Sequence, residues 1–174
     1  MDLSDAKEKA RKIVAQLAPY CDRIEIAGSI RRQKPVVGDI EIVCIPIIEE
    51  VPYGLFETQW VRVDGFINTI NAWEKVKGDP ENGKYTQRIV DGEKVDIFIA
   101  RPENWGLIFA IRTGSADYSH HVLAAGWKKA GYISHDGMIC TFPHRKPIPV
   151  REEQDLYDLI KVKWLEPEYR GLEM

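Results

Sequence analysis

Two carboxylates stand two residues apart in the otherwise apolar run Asp39-Ile40-Glu41-Ile42-Val43-Cys44-Ile45-Pro46, and no other feature constrains this chain as tightly. The run predicts a strand over residues 39–46. Side chains alternate across a strand, so Asp39 and Glu41 share one face with Val43 and Ile45, while Ile40, Ile42 and Cys44 fill the other. Two acids on a half-apolar face repel each other and resist losing water, a cost that a bound cation removes. Asp96 supplies a third acid inside a second apolar run, Val95-Asp96-Ile97-Phe98. Three carboxylates on neighbouring strands form an oxygen-donor set for a hard dication such as Mg2+ and suit two-ion chemistry at phosphorus.

Upstream lies Gly28-Ser29-Ile30-Arg31-Arg32, directly after an alternating segment, 22–27, that reads as a strand. A Gly-Ser turn after a strand exposes backbone N–H groups to an anion, and a helix starting there adds its positive end. The Ser29 hydroxyl can bond a phosphate oxygen and Arg32 can grip one bidentately. Gly38, just before Asp39, lets a ligand approach the backbone. Each part alone is ordinary, since an Asp-x-Glu pair usually marks a solvated strand face and an Arg pair a solvated surface. Their order, followed by the Val-Asp-Ile-Phe strand, is what carries the chemistry.

The remaining pattern reads as an α+β (mixed α/β) chain. Helices are expected over 5–18, 64–76, 104–112, 115–130 and 152–161, with Ser115 capping the fourth. Strands are expected at 85–90 and 94–100, joined through Asp91-Gly92, and at 131–134 and 138–142, joined through Asp136-Gly137. The composition shift at Pro102 divides the chain into residues 1–101, a mixed sheet with flanking helices, and 102–174, a small helical unit with short strands. His120 and His121, being adjacent on a helix, are expected on different faces. The net charge of −3 permits a nucleic-acid partner without demanding one. Lys128 and Lys129 read either as a solvated helix end or as cations that touch a nucleic-acid backbone. Cys21, Cys44 and Cys140 read as free thiols in a reducing compartment. No run reaches the roughly 20 apolar residues of a membrane span. A cytoplasmic, intracellular monomer with no membrane contact is the expectation.

Taken together, Gly28-Ser29 with Arg32, Gly38-Asp39-Ile40-Glu41 and Val95-Asp96 resemble the nucleotidyltransferase palm, and more narrowly the family X DNA polymerases, relatives of DNA polymerase beta. Arg112-Thr113-Gly114-Ser115, Lys129-Ala130-Gly131-Tyr132, Glu152-Glu153-Gln154-Asp155-Leu156 and Trp164-Leu165-Glu166-Pro167 with Arg170 resemble that family's thumb and terminal segment. The resemblance spans about residues 22–171, loosest between 46 and 84, and is to a reduced palm-plus-thumb form.

It implies that Asp39, Glu41 and Asp96 are catalytic metal ligands for two Mg2+ ions, with Mn2+ as a substitute, and that Asp96 accepts the primer 3′-hydroxyl proton. It implies that Gly28, Ser29, Arg32 and Gly38 serve the triphosphate, and that Gly114 and Ser115 lie along the sugar and base of a dNTP. The implied activity is DNA-directed synthesis across short gaps, on gapped or primer-template DNA. Glu41 stands where the family usually carries Asp, and Ile111-Arg112 where it commonly carries an aromatic pair that screens the sugar. Two other readings keep parts of this pattern. One is a nucleotidyltransferase acting on RNA ends, a protein or a small molecule; the other is a non-catalytic DNA-end-binding module.

Overall fold

The structure, a computed structural model, describes residues 1–171. Helix α1 spans Leu3–Leu17; the Asp2 side chain accepts the Asp5 N–H at its start, and Pro19 follows its end. Its buried stripe is Ala6, Ala10, Ile13 and Leu17, the one-sided spacing of a helix laid against a sheet. That sheet has five strands: β1 (Cys21–Ile26), β2 (Ile40–Pro46), β5 (Glu74–Gly78), β6 (Tyr85–Val90) and β7 (Glu93–Ile99). Their spatial order is β1-β2-β7-β6-β5. The central pair β2 and β7 is parallel and the other neighbours are antiparallel, so the sheet is mixed.

Alternation decides what each face touches. Ile40, Ile42, Cys44, Val95, Ile97 and Ile99 point to the α1 side, where Phe66 and Ile70 of helix α3 (Asp64–Asn71) complete one core. Val43, Ile45, Phe98 and Ala100 point the other way and pack with Trp105 and Phe109. Those aromatics belong to helix α4 (Trp105–Thr113), so the face that bears the carboxylates is covered at one end by the carboxyl-terminal region. Cys21 and Cys44, distant in sequence, meet on the paired strands β1 and β2. Their contact and burial push the Cys44 thiol well above its ordinary value.

The expected helix over 64–76 ends early. Residues Glu74–Gly78 instead form β5 on the free edge of β6, because an open strand edge offers backbone partners that weak helical periodicity cannot match. A hairpin of β3 (Ile48–Tyr53) and β4 (Glu57–Arg62) occupies part of the stretch that showed no clear pattern. Most of its side chains are exposed, so burial imposed no alternation for the sequence to display.

Beyond residue 102 the capped helix begins as α5 (Ala116–Tyr118), with the Ser115 hydroxyl accepting the Tyr118 N–H at 3.2 Å. It widens into a π-helical stretch over Ser119–Ala124 and finishes as α6 (Ala125–Lys129). In this stretch the His120 and His121 rings meet edge to face, with centroids 4.8 Å apart. Strands β8 (Tyr132–His135), β9 (Met138–Thr141) and β10 (Pro147–Ile148) follow, then helix α7 (Glu153–Ile160). Leu107, Leu123, Trp127, Ile139, Leu156 and Tyr157 form the core of this region. No described helix is long and apolar enough to cross a membrane.

Ile97 sits at the middle of the parallel pair with no exposed surface. Ile97→Ala is expected to cost about 2–5 kcal/mol, while Val76→Ala on the exposed edge strand should stay within about 0.5 kcal/mol. Urea unfolding midpoints of the two variants check this.

Candidate active site

The register of three strands builds the site. Glu41 on β2 lies opposite Asp96 on β7, and Asp96 lies opposite Gln87 on β6. One step along, Val43, Phe98 and Tyr85 form the next row, in which Tyr85 and Phe98 stack with centroids 5.0 Å apart. Asp39 stands one residue before β2 and is exposed, whereas Glu41 is half-buried and Asp96 is buried.

Asp96 is held by neighbours that the sequence reading did not single out. The Tyr85 hydroxyl and Gln87 Nε2 (2.8 Å) both donate to its Oδ1, and among the described residues nothing bonds Oδ2. Burial and the bond to Asp96 push the Tyr85 hydroxyl above its ordinary value, so it donates throughout the physiological range. The signal for both residues was in the sequence. Counting back from the Asp91-Gly92 turn pairs Val90 with Glu93 and therefore Gln87 with Asp96.

Glu41 lies against Gly28. A Cβ on Gly28 would fall 1.8 Å from Glu41 Oε2, and Gly28 also has φ +61°, so any side chain there would displace the carboxylate. Burial first, then the neighbouring Asp96, push the Glu41 carboxyl up to about 7; Arg32 and Arg112 pull the other way. Among the described residues no three acidic, histidine or cysteine side chains converge tightly enough to enclose a metal ion. Glu41 is turned toward the space that Gly28 leaves, and Asp39 remains in solvent. The donor chemistry nevertheless fits a hard cation, because oxygen ligands of like charge are crowded across β2 and β7 and Asp96 keeps an uncommitted oxygen.

The Gly-Ser turn opens the four-residue helix α2 (Gly28–Arg31), and the N–H of Ala27 bonds the Glu41 carbonyl at 2.8 Å, sewing the turn to β2. Ser29 is half-buried there. Arg32 is not free to meet an anion with its whole guanidinium. Nη1 donates to the Thr113 carbonyl at 2.6 Å, and Nε is buried without a partner among the described residues. Burial pulls its pKa down. Gly38 is exposed with open space around its Cα. Gly114, at φ +70°, leaves room for Arg32 Nη1, and Gly171 packs against the Ser115 hydroxyl that caps α5. Lys128 and Lys129 lie exposed at the end of α6, away from this cluster in sequence and topology. Arg112 stands over the Phe98 ring at 4.2 Å, a cation beside the carboxylates where the family commonly places an aromatic ring.

Behind the Gly-Ser turn, Glu153 is clamped by two arginines. Arg31 Nη2 reaches its Oε1 at 2.6 Å, while Arg31 Nη1 (2.9 Å) and Arg170 Nη1 (2.7 Å) reach Oε2. Arg31 also bonds Thr113 Oγ1 at 2.7 Å and lies over Phe109. The side chains of Arg170 and Glu153 are 0% and 7% exposed, so the pair ties α2, α4, α7 and the terminal segment through buried charge.

Neither a comparison with protein-family models nor one with curated proteins gives a match. Comparison with solved structures does. Polymerase beta of Leishmania infantum in a ternary P/T complex superposes with a TM-score of 0.73 at 15% identity, covering 99% of this chain and 77% of that one. The same polymerase in a ternary gap complex gives a TM-score of 0.71 at 15% identity, over 99% and 71% of the two chains. The chain has the polymerase beta fold, in its α+β form with a mixed sheet and flanking helices.

Two predictions follow from the buried charges. Glu153→Ala strands Arg170 and Arg31 without their carboxylate and should cost about 3–5 kcal/mol in chemical denaturation. Glu41 binds its proton more tightly in the folded chain than in the unfolded one. Its contribution is therefore fully present below the unfolded value and is lost as pH rises through about 7. In metal-free buffer, Glu41→Gln should gain thermal stability relative to the parent as pH is raised from 5 to 8. A constant difference across that range would contradict the assignment.

Proposed function

We propose that this chain is a metal-dependent nucleotidyltransferase that extends a DNA primer 3′-hydroxyl from a dNTP on gapped or primer-template DNA. In this reading residues 1–101 act as the palm and 102–174 as the thumb, and the protein works as a monomer. The observation that carries it is the lateral row Glu41–Asp96–Gln87, in which Asp96 is buried and fixed through one oxygen while the other is left for a ligand.

Asp39, Glu41 and Asp96 are the residues that would hold two Mg2+ ions, or Mn2+ in their place. Bound there, the ions would lower the pKa of the attacking hydroxyl and stabilise the departing pyrophosphate. The uncommitted Asp96 Oδ2 takes the proton of the 3′-hydroxyl. The 3′-oxygen then bonds the α-phosphorus as the bridge to the β-phosphate breaks, releasing pyrophosphate. Tyr85 and Gln87 keep Asp96 aimed, which lowers the reorganisation the step needs. Ser29, Gly28 and Gly38 offer a hydroxyl, backbone N–H groups and open space to the triphosphate, and Arg32 offers the N–H groups not bonded to Thr113. Gly114 and Ser115 border the sugar and base, and Lys128 and Lys129 meet the DNA backbone. The polymerase beta fold supports this assignment of parts, and the like-charge crowding at Glu41 supports a cation between the strands.

The test is extension of a primer across a one-nucleotide gap with each dNTP supplied singly, with and without Mg2+. Template-matched, Mg2+-dependent incorporation is expected. Asp96→Ala and Asp39→Ala should each abolish turnover while circular dichroism stays unchanged, and Glu41→Asp should remain active. Nucleotide binding without growth of any DNA end would redirect the same chemistry to another acceptor, an RNA end, a protein or a small molecule. Loss of Mg2+-dependent nucleotide binding altogether would leave only a DNA-end-binding module.

A further inference from the structure

The carboxyl-terminal region carries a charge pattern of which the proposed function uses only Lys128 and Lys129. From Gly126 to Pro149 the cations are Lys128, Lys129, Arg145 and Lys146, and Asp136 is the one acid. Strand pairing gathers those cations at one end of the three-stranded sheet. Tyr132 pairs with Thr141, so the end of α6, three residues before Tyr132, and the loop that follows Thr141 leave the sheet at the same end. Asp136 sits in the turn at the opposite end, about 10 Å along the hairpin, and is bonded there to Lys84 at 2.6 Å. None of the four cations forms an ion pair among the described residues.

The loop at this edge is ordered by its own backbone. Arg145 N bonds the Thr141 carbonyl at 2.9 Å, Lys146 N bonds Thr141 Oγ1 at 3.1 Å, and Thr141 N returns to the Lys146 carbonyl at 2.9 Å. Held in that closed loop, Phe142 is 70% exposed. An exposed apolar ring on a loop with unpaired cations, on a chain whose net charge is −3, complements a ligand that is both anionic and flat-faced. Unpaired nucleotides have that chemistry: phosphates for Lys and Arg, and base faces for an aromatic ring. A duplex offers the phosphates but keeps its bases stacked.

We propose that the edge formed by Lys128, Lys129, Phe142, Arg145 and Lys146 binds a single-stranded DNA segment, with Phe142 stacking on an unpaired base and the cations following the backbone. This rests on the reading of DNA as the acceptor and adds a strand-specific contact to it. The segment it suits is the unpaired template beyond the primer end.

The experiment measures anisotropy of fluorescein-labelled DNA bound by the full chain. It compares a primer-template with a single-stranded template overhang against a nicked, fully paired duplex, from low to moderate salt. Phe142→Ala should weaken overhang binding about tenfold, as expected for loss of one stacked base, and leave the paired duplex within about twofold. The double variant Arg145→Glu/Lys146→Glu should weaken both DNAs and flatten the dependence of log affinity on log salt by about 1 or more. Equal losses on both DNAs for Phe142→Ala would overturn the stacking. Variants binding like the parent would overturn the whole edge, while Mg2+-dependent gap filling, measured in parallel, would still stand. A parent that fills gaps yet shows no preference for the overhang also overturns it.

Discussion

The parallel pairing of β2 with β7 is the constraint on which the rest of this molecule depends. It places Glu41 beside Asp96 in the centre of a sheet whose opposite face is a dry core of Ile40, Ile42, Val95 and Ile97. Two carboxylates forced together at such a position cannot both ionise cheaply. The chain relieves this in two ways. Asp96 takes hydrogen bonds from Tyr85 and Gln87, and Glu41 leans into the space over Gly28 and holds its proton up to about neutral pH. Both arrangements are those of a site that carries more negative charge than the protein alone neutralises.

The second organising contact is the clamp on Glu153. Arg31 follows the Gly-Ser turn directly, so tying it to α7 and to Arg170 fixes the turn from behind. Arg32, the next residue, bonds the carbonyl of Thr113 at the end of α4. Consecutive arginines thus do different work: one is spent on a buried carboxylate, the other bridges to the turn at Gly114. A buried ion pair of this kind contributes little net stability but strongly disfavours arrangements that break it. It therefore sets the position of the carboxyl-terminal region relative to the carboxylate-bearing face.

Glu41 and Gly28 show how a longer acid fits. An aspartate at that position would stop short of the turn, whereas the glutamate carboxylate reaches the Gly28 Cα, and only a residue without Cβ tolerates it. Arg112 shows a parallel substitution. Where the resemblance leads one to expect a ring near the sugar, a guanidinium lies on the Phe98 ring and adds positive charge beside Glu41. The surroundings of the carboxylates therefore differ from the family pattern in length on one side and in charge on the other.

Local pattern alone determined much of this protein. Apolar runs interrupted by Asp39, Glu41 and Asp96 marked the strands and the acids on their faces, because a period of two is visible without knowing the partner strand. Caps and turns such as Ser115, Asp91-Gly92 and Asp136-Gly137 were legible for the same reason, since their hydrogen bonds close within a few residues. What only the tertiary structure decided involves long separations. The conversion of residues 74–78 into an edge strand depends on β6 needing a partner. The seat of the Glu41 carboxylate depends on the space over Gly28, and the pairing of Glu153 with Arg31 joins residues 122 apart. Such contacts follow from which surfaces fold together and which buried charges must be answered, and no local periodicity encodes that.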